Sequence, residues 1–344
     1  MEVSVSPNTW NFSMSDSKRI DWIDLAKGFC ILLVVITHTC LWVFQSVDYP
    51  LAYQTLAFMM PLFFVLSGMF FKPEEGFVAF LKRKTNRLLI PFLFFFVVTS
   101  MLPCAVLKHE SALTEFFRDR NIFYNNPIWF LLSLFDMSVM FCIVHRIAKR
   151  ISFSYQTLIV MIASIVMGFV GMGLSALHIA LPFYLDISLT SMPFFAFGYW
   201  LYRHTGFVNA PVRALRDGAL MATCGVIVWF FPVLTVWAVN SFPSDVTMLW
   251  VYVCGFAGTM MVLILSKFIR HLPLVSFWGR YSIIILCTHQ VVITLASHFL
   301  KRWFVGGWQV LAVLVITLAV CHILILFMRK YMPHVTAQED VIKI

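Results

Sequence analysis

Read for hydrophobic and polar positions, the chain is a series of apolar runs separated by short polar connections. A membrane-spanning helix needs about 20 mostly apolar residues. Ten stretches meet or approach that length: 23–44, 51–71, 88–107, 127–147, 155–175, 185–202, 218–239, 246–266, 281–299 and 307–328. The pattern predicts an all-α polytopic membrane protein of about ten helices. A polar segment, 1–20, precedes the bundle of 21–330, and a short tail, 331–344, follows it. The first twenty residues lack a short apolar core followed by a cleavage site, so the first run is expected to stay as a helix rather than be removed as a signal peptide. No long hydrophilic stretch remains, which confines any chemistry to the bundle and its loops.

Lysines and arginines test the helix count, because loops on the cytoplasmic side carry the excess of basic residues. With ten spans, nineteen fall on one side: Lys18, Arg19, Lys72, Lys82, Arg83, Lys84, Arg87, Arg146, Lys149, Arg150, Arg203, Arg213, Arg216, Lys267, Arg270, Arg280, Arg329, Lys330 and Lys343. Five fall on the other: Lys108, Arg118, Arg120, Lys301 and Arg302. A missed helix would scramble this alternation. Both ends of the chain are therefore expected to be cytoplasmic. Trp22, Trp42, Trp129, Trp200, Trp250, Trp278 and Trp303 fall near expected interfaces, where indole rings anchor.

Composition adds little to this picture but removes alternatives. The chain is 61% hydrophobic and 12% charged, against about 45–50% and about 25% in soluble domains. The net charge of +9 is spread in clusters between apolar runs, so it reads as membrane orientation and not as a nucleic-acid patch. Cys30, Cys40, Cys104, Cys142, Cys224, Cys254, Cys287 and Cys321 lie in or beside apolar runs with no CxxC pair. They read as small apolar fillers, and no metal site is indicated.

Candidate chemistry comes from titratable side chains within the runs, since these are costly in lipid and mark function when present. They are Asp24, Lys27, His38, Asp136, His289 and His322. Eleven residues turn a helix through three turns plus about 20°, so Lys27 and His38 share one face about 16 Å apart along the axis. Asp24 lies one turn before Lys27 on nearly the same stripe. Lys27 can also be read as an edge cation paired with Asp24, and His38 as a hydrogen-bonded bundle residue. The run LKRKTNRLLIP (81–91) is an ordinary basic anchor with one further property. In a helix beginning near Phe80, Arg83 and Arg87 lie at i and i+4 on one face, and two guanidinium forks at a membrane edge suit phosphate. Asp136 reads as a bundle-stabilising hydrogen-bonding residue. His289 reads equally as such a residue or as a site residue.

Several stretches, in order, resemble one family: RIDWIDLAKGFCILLVVITH (19–38), MPLFFVLSGMFF (60–71), FLKRKTNRLLIPFLFF (80–95), NPIWFLLSLF (126–135) and WGRYSIIILCTH (278–289). The chain resembles the bacterial membrane acyltransferase-3 family, and within it the fucose-4-O-acetylase-like proteins and the acetyltransferases that decorate surface polysaccharides. The family motif is a basic residue, ten intervening residues and a histidine. Arginine is usual at the first position, whereas here it is Lys27, with His38 at the matching histidine. Lysine at this position is common in the fucose-4-O-acetylase-like branch. The chain is similar to the stand-alone members and not to those with a fused esterase-like domain.

The resemblance implies acyl transfer from cytoplasmic acyl-CoA, by default acetyl-CoA, to a sugar hydroxyl of a surface glycan or its lipid-linked precursor at the bacterial inner membrane. It also implies an essential His38, acting either as a general base or as a covalent acyl relay. On that reading Lys27, Arg83 and Arg87 hold the donor phosphates, and Ser67, Trp129 and Tyr281 are candidates for oxyanion stabilisation. The Ser67–Gly68 pair also suits close helix packing. The partners expected are the glycan acceptor and membrane lipids, with no nucleic acid and the oligomeric state left open. A transporter or flippase for a lipid-linked sugar is the alternative. A structural membrane subunit is a third reading, and it leaves the Lys27–His38 stripe without a purpose.

Overall fold

The computed structural model describes residues 20–46, 52–72, 76–107, 112–120, 122, 124–231 and 246–343. All regular structure among them is helical. In chain order the helices are α1 (Asp21–Phe44), α2 (Ala52–Met69), α3 (Phe77–Lys84), α4 (Ile90–Phe96), α5 (Leu102–Leu107), α6 (Ala112–Asp119), α7 (Trp129–Ile151), α8 (Gln156–Ala176), α9 (Leu185–His204), α10 (Ala214–Phe230), α11 (Trp250–Ile269), α12 (Pro273–Arg280), α13 (Ser282–Leu300) and α14 (Gly306–Tyr331). In lipid the backbone must satisfy its own hydrogen bonds, so the apolar runs become helices.

Eight helices among the described residues are long and apolar enough to cross a membrane, and they match eight of the ten expected stretches. The expected stretches 185–202 and 218–239 coincide with α9 and α10. The α9 helix is less apolar because it carries Asp186 and five hydroxyl side chains. The far end of the expected 218–239 stretch, the beginning of 51–71, most of the 1–20 segment and Lys108 lie outside the described residues.

The third expected span differs in its start. Helical structure runs from Phe77 to Val106, so the basic run is inside the helix rather than ahead of it. Two π-helical turns, Thr85–Leu89 and Val97–Met101, separate α3, α4 and α5. Such wide turns change which side chains share a face.

Two close packings hold the bundle together. Helix α9 lies in its interior, against α2, α7 and α8. A Cβ at Gly68 would sit 1.9 Å from the Phe195 carbonyl oxygen, and one at Gly198 would sit 2.0 Å from that of Val65. Only glycine permits this approach, which is how small residues join helices where lipid provides no hydrophobic drive. Helix α1 meets α12 in the same way: a Cβ at Gly279 would lie 1.8 Å from the Asp24 carbonyl oxygen and one at Gly28 would lie 2.1 Å from that of Val275. The second contact sets Arg280 and Tyr281 beside Lys27. All eight cysteines are buried as free thiols.

Candidate functional site

Lys27, Ser67, Arg83, Arg87 and Tyr281, from four separate parts of the sequence, line one cavity of about 380 Å3. Its mouth is polar: Arg87, Arg280 and Gln338 are exposed there. Its inner wall is apolar and buried, with Phe63, Leu66, Phe130, Leu131, Leu134 and Leu286. Five basic side chains, Lys27, Arg83, Lys84, Arg87 and Arg280, line it, and among the described residues no acidic one does. Like charges converging this closely repel one another, so the site favours a multiply charged anion. The apolar inner wall favours an uncharged extension of that ligand.

Local structure explains the convergence. Arg83 and Lys84 end α3, Arg87 and Leu88 lie in the Thr85–Leu89 π turn, and these positions, i, i+1, i+4 and i+5, fall on one side and line the cavity. Lys27 lies 4.0 Å from Asp24 at i,i+3, and its ammonium is 4.9 Å from the centre of the Phe70 ring. The expected Asp24–Lys27 pair is therefore present, and Lys27 also lines the cavity.

His38 and His289 do not line the cavity. They face each other across α1 and α13, with ring centroids 5.0 Å apart and planes at 73°. Each ring is held by its own helix: His38 Nδ1 lies 2.8 Å from the Val34 carbonyl oxygen and His289 Nδ1 lies 2.8 Å from that of Ile285. A carbonyl only accepts, so Nδ1 is the protonated atom in both rings and Nε2 carries the lone pair of the neutral imidazole. His38 is half-buried, whereas His289 is buried and its Nε2 has no hydrogen-bond partner among the described residues. Leu286 of the inner wall precedes His289 by three residues, which is about 4.5 Å along α13. The polar stripe of α1 thus joins two places, the cationic cavity at Lys27 and the paired imidazoles at His38.

The three oxyanion candidates are not gathered at His38. Ser67 Oγ donates to its own helix at the Phe63 carbonyl, 2.8 Å away, so its proton is already committed. Tyr281 is at the cavity's polar end, where its hydroxyl accepts from Arg329 at 3.4 Å. The Trp129 indole packs against Tyr184 and Phe130 and takes no part in the cavity lining. Asp136 Oδ2 is buried with no hydrogen-bond partner among the described residues, so that atom makes no bundle hydrogen bond of the kind expected. His322 Nδ1 accepts from the Trp278 indole at 3.2 Å, a packing role.

Four residues of the arrangement were not singled out from sequence. Lys84 and Arg280 sit within the quoted basic and WGR stretches. Gln338 lies in the segment after α14 and carries no sequence signal. Asn125 is fully buried and donates to the Cys287 carbonyl at 2.7 Å and to Thr99 Oγ1 at 3.0 Å, which fixes α13 two residues from His289. Its signal was the Asn125-Asn126-Pro127 turn at the start of a helix.

Together the fold and the cavity define a helical membrane protein with a cationic inlet and a pair of imidazoles deeper in the bundle. The family comparison narrows this class. A family model for the acyltransferase domain, acyltransferase-3, matches residues 20–326, and the chain belongs to that family. No curated protein and no solved structure matches it.

Proposed function

We propose that this membrane acyltransferase moves an acyl group, acetyl by default, from cytoplasmic acyl-CoA to a sugar hydroxyl of a surface glycan or its lipid-linked precursor. The single observation that carries this reading is the cavity: five basic side chains at a polar mouth, leading to an apolar wall one helical turn from a pair of imidazoles. A nucleotide with several phosphates suits the mouth, and its uncharged thioester arm suits the inner wall.

In this reading Lys27, Arg83, Lys84, Arg87 and Arg280 hold the phosphates, Arg by bidentate contacts and Lys as a point charge. The acceptor comes from the opposite side of the bacterial inner membrane. Its hydroxyl oxygen attacks the thioester carbonyl carbon, the C–S bond breaks, and the hydroxyl proton passes to His38 Nε2 and on to the departing sulfur. The Val34 carbonyl holds the His38 ring with Nε2 as the basic atom, as general-base catalysis requires. His289 and the amide of Asn125 are the polar groups placed to orient the reacting centre. No metal takes part in this scheme.

The test compares O-acetyl content of surface glycan in cells with wild type, His38→Ala or no copy of the gene, with membrane abundance of the protein measured in each. The proposal predicts acetylation in wild type alone. Unchanged acetylation in all three, with glycan export reduced in the deletion, would replace it with the transporter reading. Full activity of His38→Ala would remove the role of His38.

A further inference from the structure

Residues 332–343 follow α14 and fold back across the helix that carries the cavity's arginines. Asn86 is the anchor. It is 1% exposed, its Oδ1 accepts from the amides of Val341 at 3.2 Å and Ile342 at 2.9 Å, and its Nδ2 donates to the Ile342 carbonyl at 2.8 Å. Lys82 Nζ adds a bond to the Lys343 carbonyl at 3.1 Å. Thr336 and Ala337, within the strap, are buried. These contacts lie off the cavity, so the strap is held whether or not the cavity is filled.

The same strap reaches Arg87. Arg87 Nη1 donates to the Ala337 carbonyl, and Nη2 lies 3.7 Å from Asp340 Oδ1. The Asp340 carboxylate also acts electrostatically on Arg83. The cavity lining holds no acidic side chain among the described residues, yet the strap brings a carboxylate to its arginine pair from outside. That contact is loose: 3.7 Å is too long for a hydrogen bond, and the two side chains are 45% and 33% exposed. The neighbouring acid differs. Glu339 lies 3.6 Å from His334 and lines a separate cavity with Arg329 and Lys330.

We propose that Asp340 is a specificity-determining residue of this cavity, its carboxylate competing with ligand phosphate for Arg87. A ligand that presents phosphate at Arg87 displaces the carboxylate, and one without phosphate does not. The Asn86 anchor keeps the strap in place throughout. The inference rests on reading the cavity as the site of the donor's phosphates.

The test uses the full chain in lipid nanodiscs, with CoA and inorganic pyrophosphate as separate probes in a binding titration. Asp340→Asn keeps the shape and removes the charge. It is expected to tighten both probes about two- to fivefold, the range an exposed ion pair covers. The gain shrinks at high salt, disappears in an Arg87→Ala background, and is not reproduced by Glu339→Gln. Unchanged or weaker binding by Asp340→Asn overturns the proposal. So does equal tightening by Glu339→Gln, which reduces the effect to net charge, or an equal gain with Arg87 removed. If pyrophosphate binds as expected and CoA does not bind at all, the acyl-CoA reading falls and the role of Asp340 stands. If neither probe binds any of these proteins, both fall.

Discussion

A histidine among leucines and valines has to be satisfied locally or used. His38 is half-buried, with Nδ1 fixed on the Val34 carbonyl and Nε2 as its basic atom. Removing such a base costs about 10²–10⁴-fold in rate, so His38→Ala should lose at least about a hundredfold in acetyl transfer, measured with purified protein at matched abundance. The arginines act differently. Charge-assisted hydrogen bonds contribute about 1.5–3 kcal/mol each, and in the proposed reaction the donor phosphates stay bound throughout. Arg83→Ala and Arg87→Ala should therefore each raise the donor KM about tenfold or more while kcat stays near wild type. A fall in kcat at unchanged KM would assign the arginines to the reacting centre instead. At this scale much was legible in sequence. Helical periodicity put Lys27 and His38 on one stripe, and spacing singled out Arg83 and Arg87. The facing of His38 and His289 was not legible, because it depends on how α1 and α13 pack across roughly 250 residues of sequence, and no period in either helix encodes that.

At the scale of elements, glycine decides where helices meet. Gly279 lets α12 touch the Asp24 carbonyl and so fixes Arg280 and Tyr281 beside Lys27. In Gly279→Ala the new Cβ would stand 1.8 Å from that oxygen, and the two helices would have to separate. Overpacking of this kind costs about 1–3 kcal/mol, read as a lower unfolding temperature in detergent together with weaker CoA binding. Gly173→Ala in α8 meets nothing within 4 Å, so it should hold or raise the unfolding temperature, since alanine is the better helix former. The apolar runs made these helices legible, because a span of that length admits no other structure in lipid. The basic run was only half legible. It reads as an anchor before the 88–107 span or as the start of a helix near Phe80, and in the fold the helix starts at Phe77 and includes the run, with Lys84 also lining the cavity. The strap after α14 was not legible at all. It is polar and short, and its placement depends on one buried amide, Asn86, which bonds to backbone rather than to any recognisable motif.

At the scale of the whole molecule, the charge asymmetry becomes a statement about sides. The cavity mouth opens among the basic residues assigned to the cytoplasmic loops, where an acyl-CoA donor is available. That assignment can be tested without touching the site. The native thiols are all buried, so a single cysteine introduced at an exposed position dominates reaction with a membrane-impermeant maleimide. Phe153, between α7 and α8, is 78% exposed and lies on the basic side, while Trp303, between α13 and α14, is 80% exposed and lies on the other. Trp303→Cys should label in intact cells whose outer barrier is permeable to the reagent. Phe153→Cys should label only after the membranes are opened. The reverse pattern would place the cationic mouth outside the cell, where the donor is absent, and the acyl-CoA assignment of the cavity would fail even though the fold and the family stand. Labelling of both positions in intact cells would point to an even number of spans between Phe153 and Trp303 and would break the alternation on which the orientation rests.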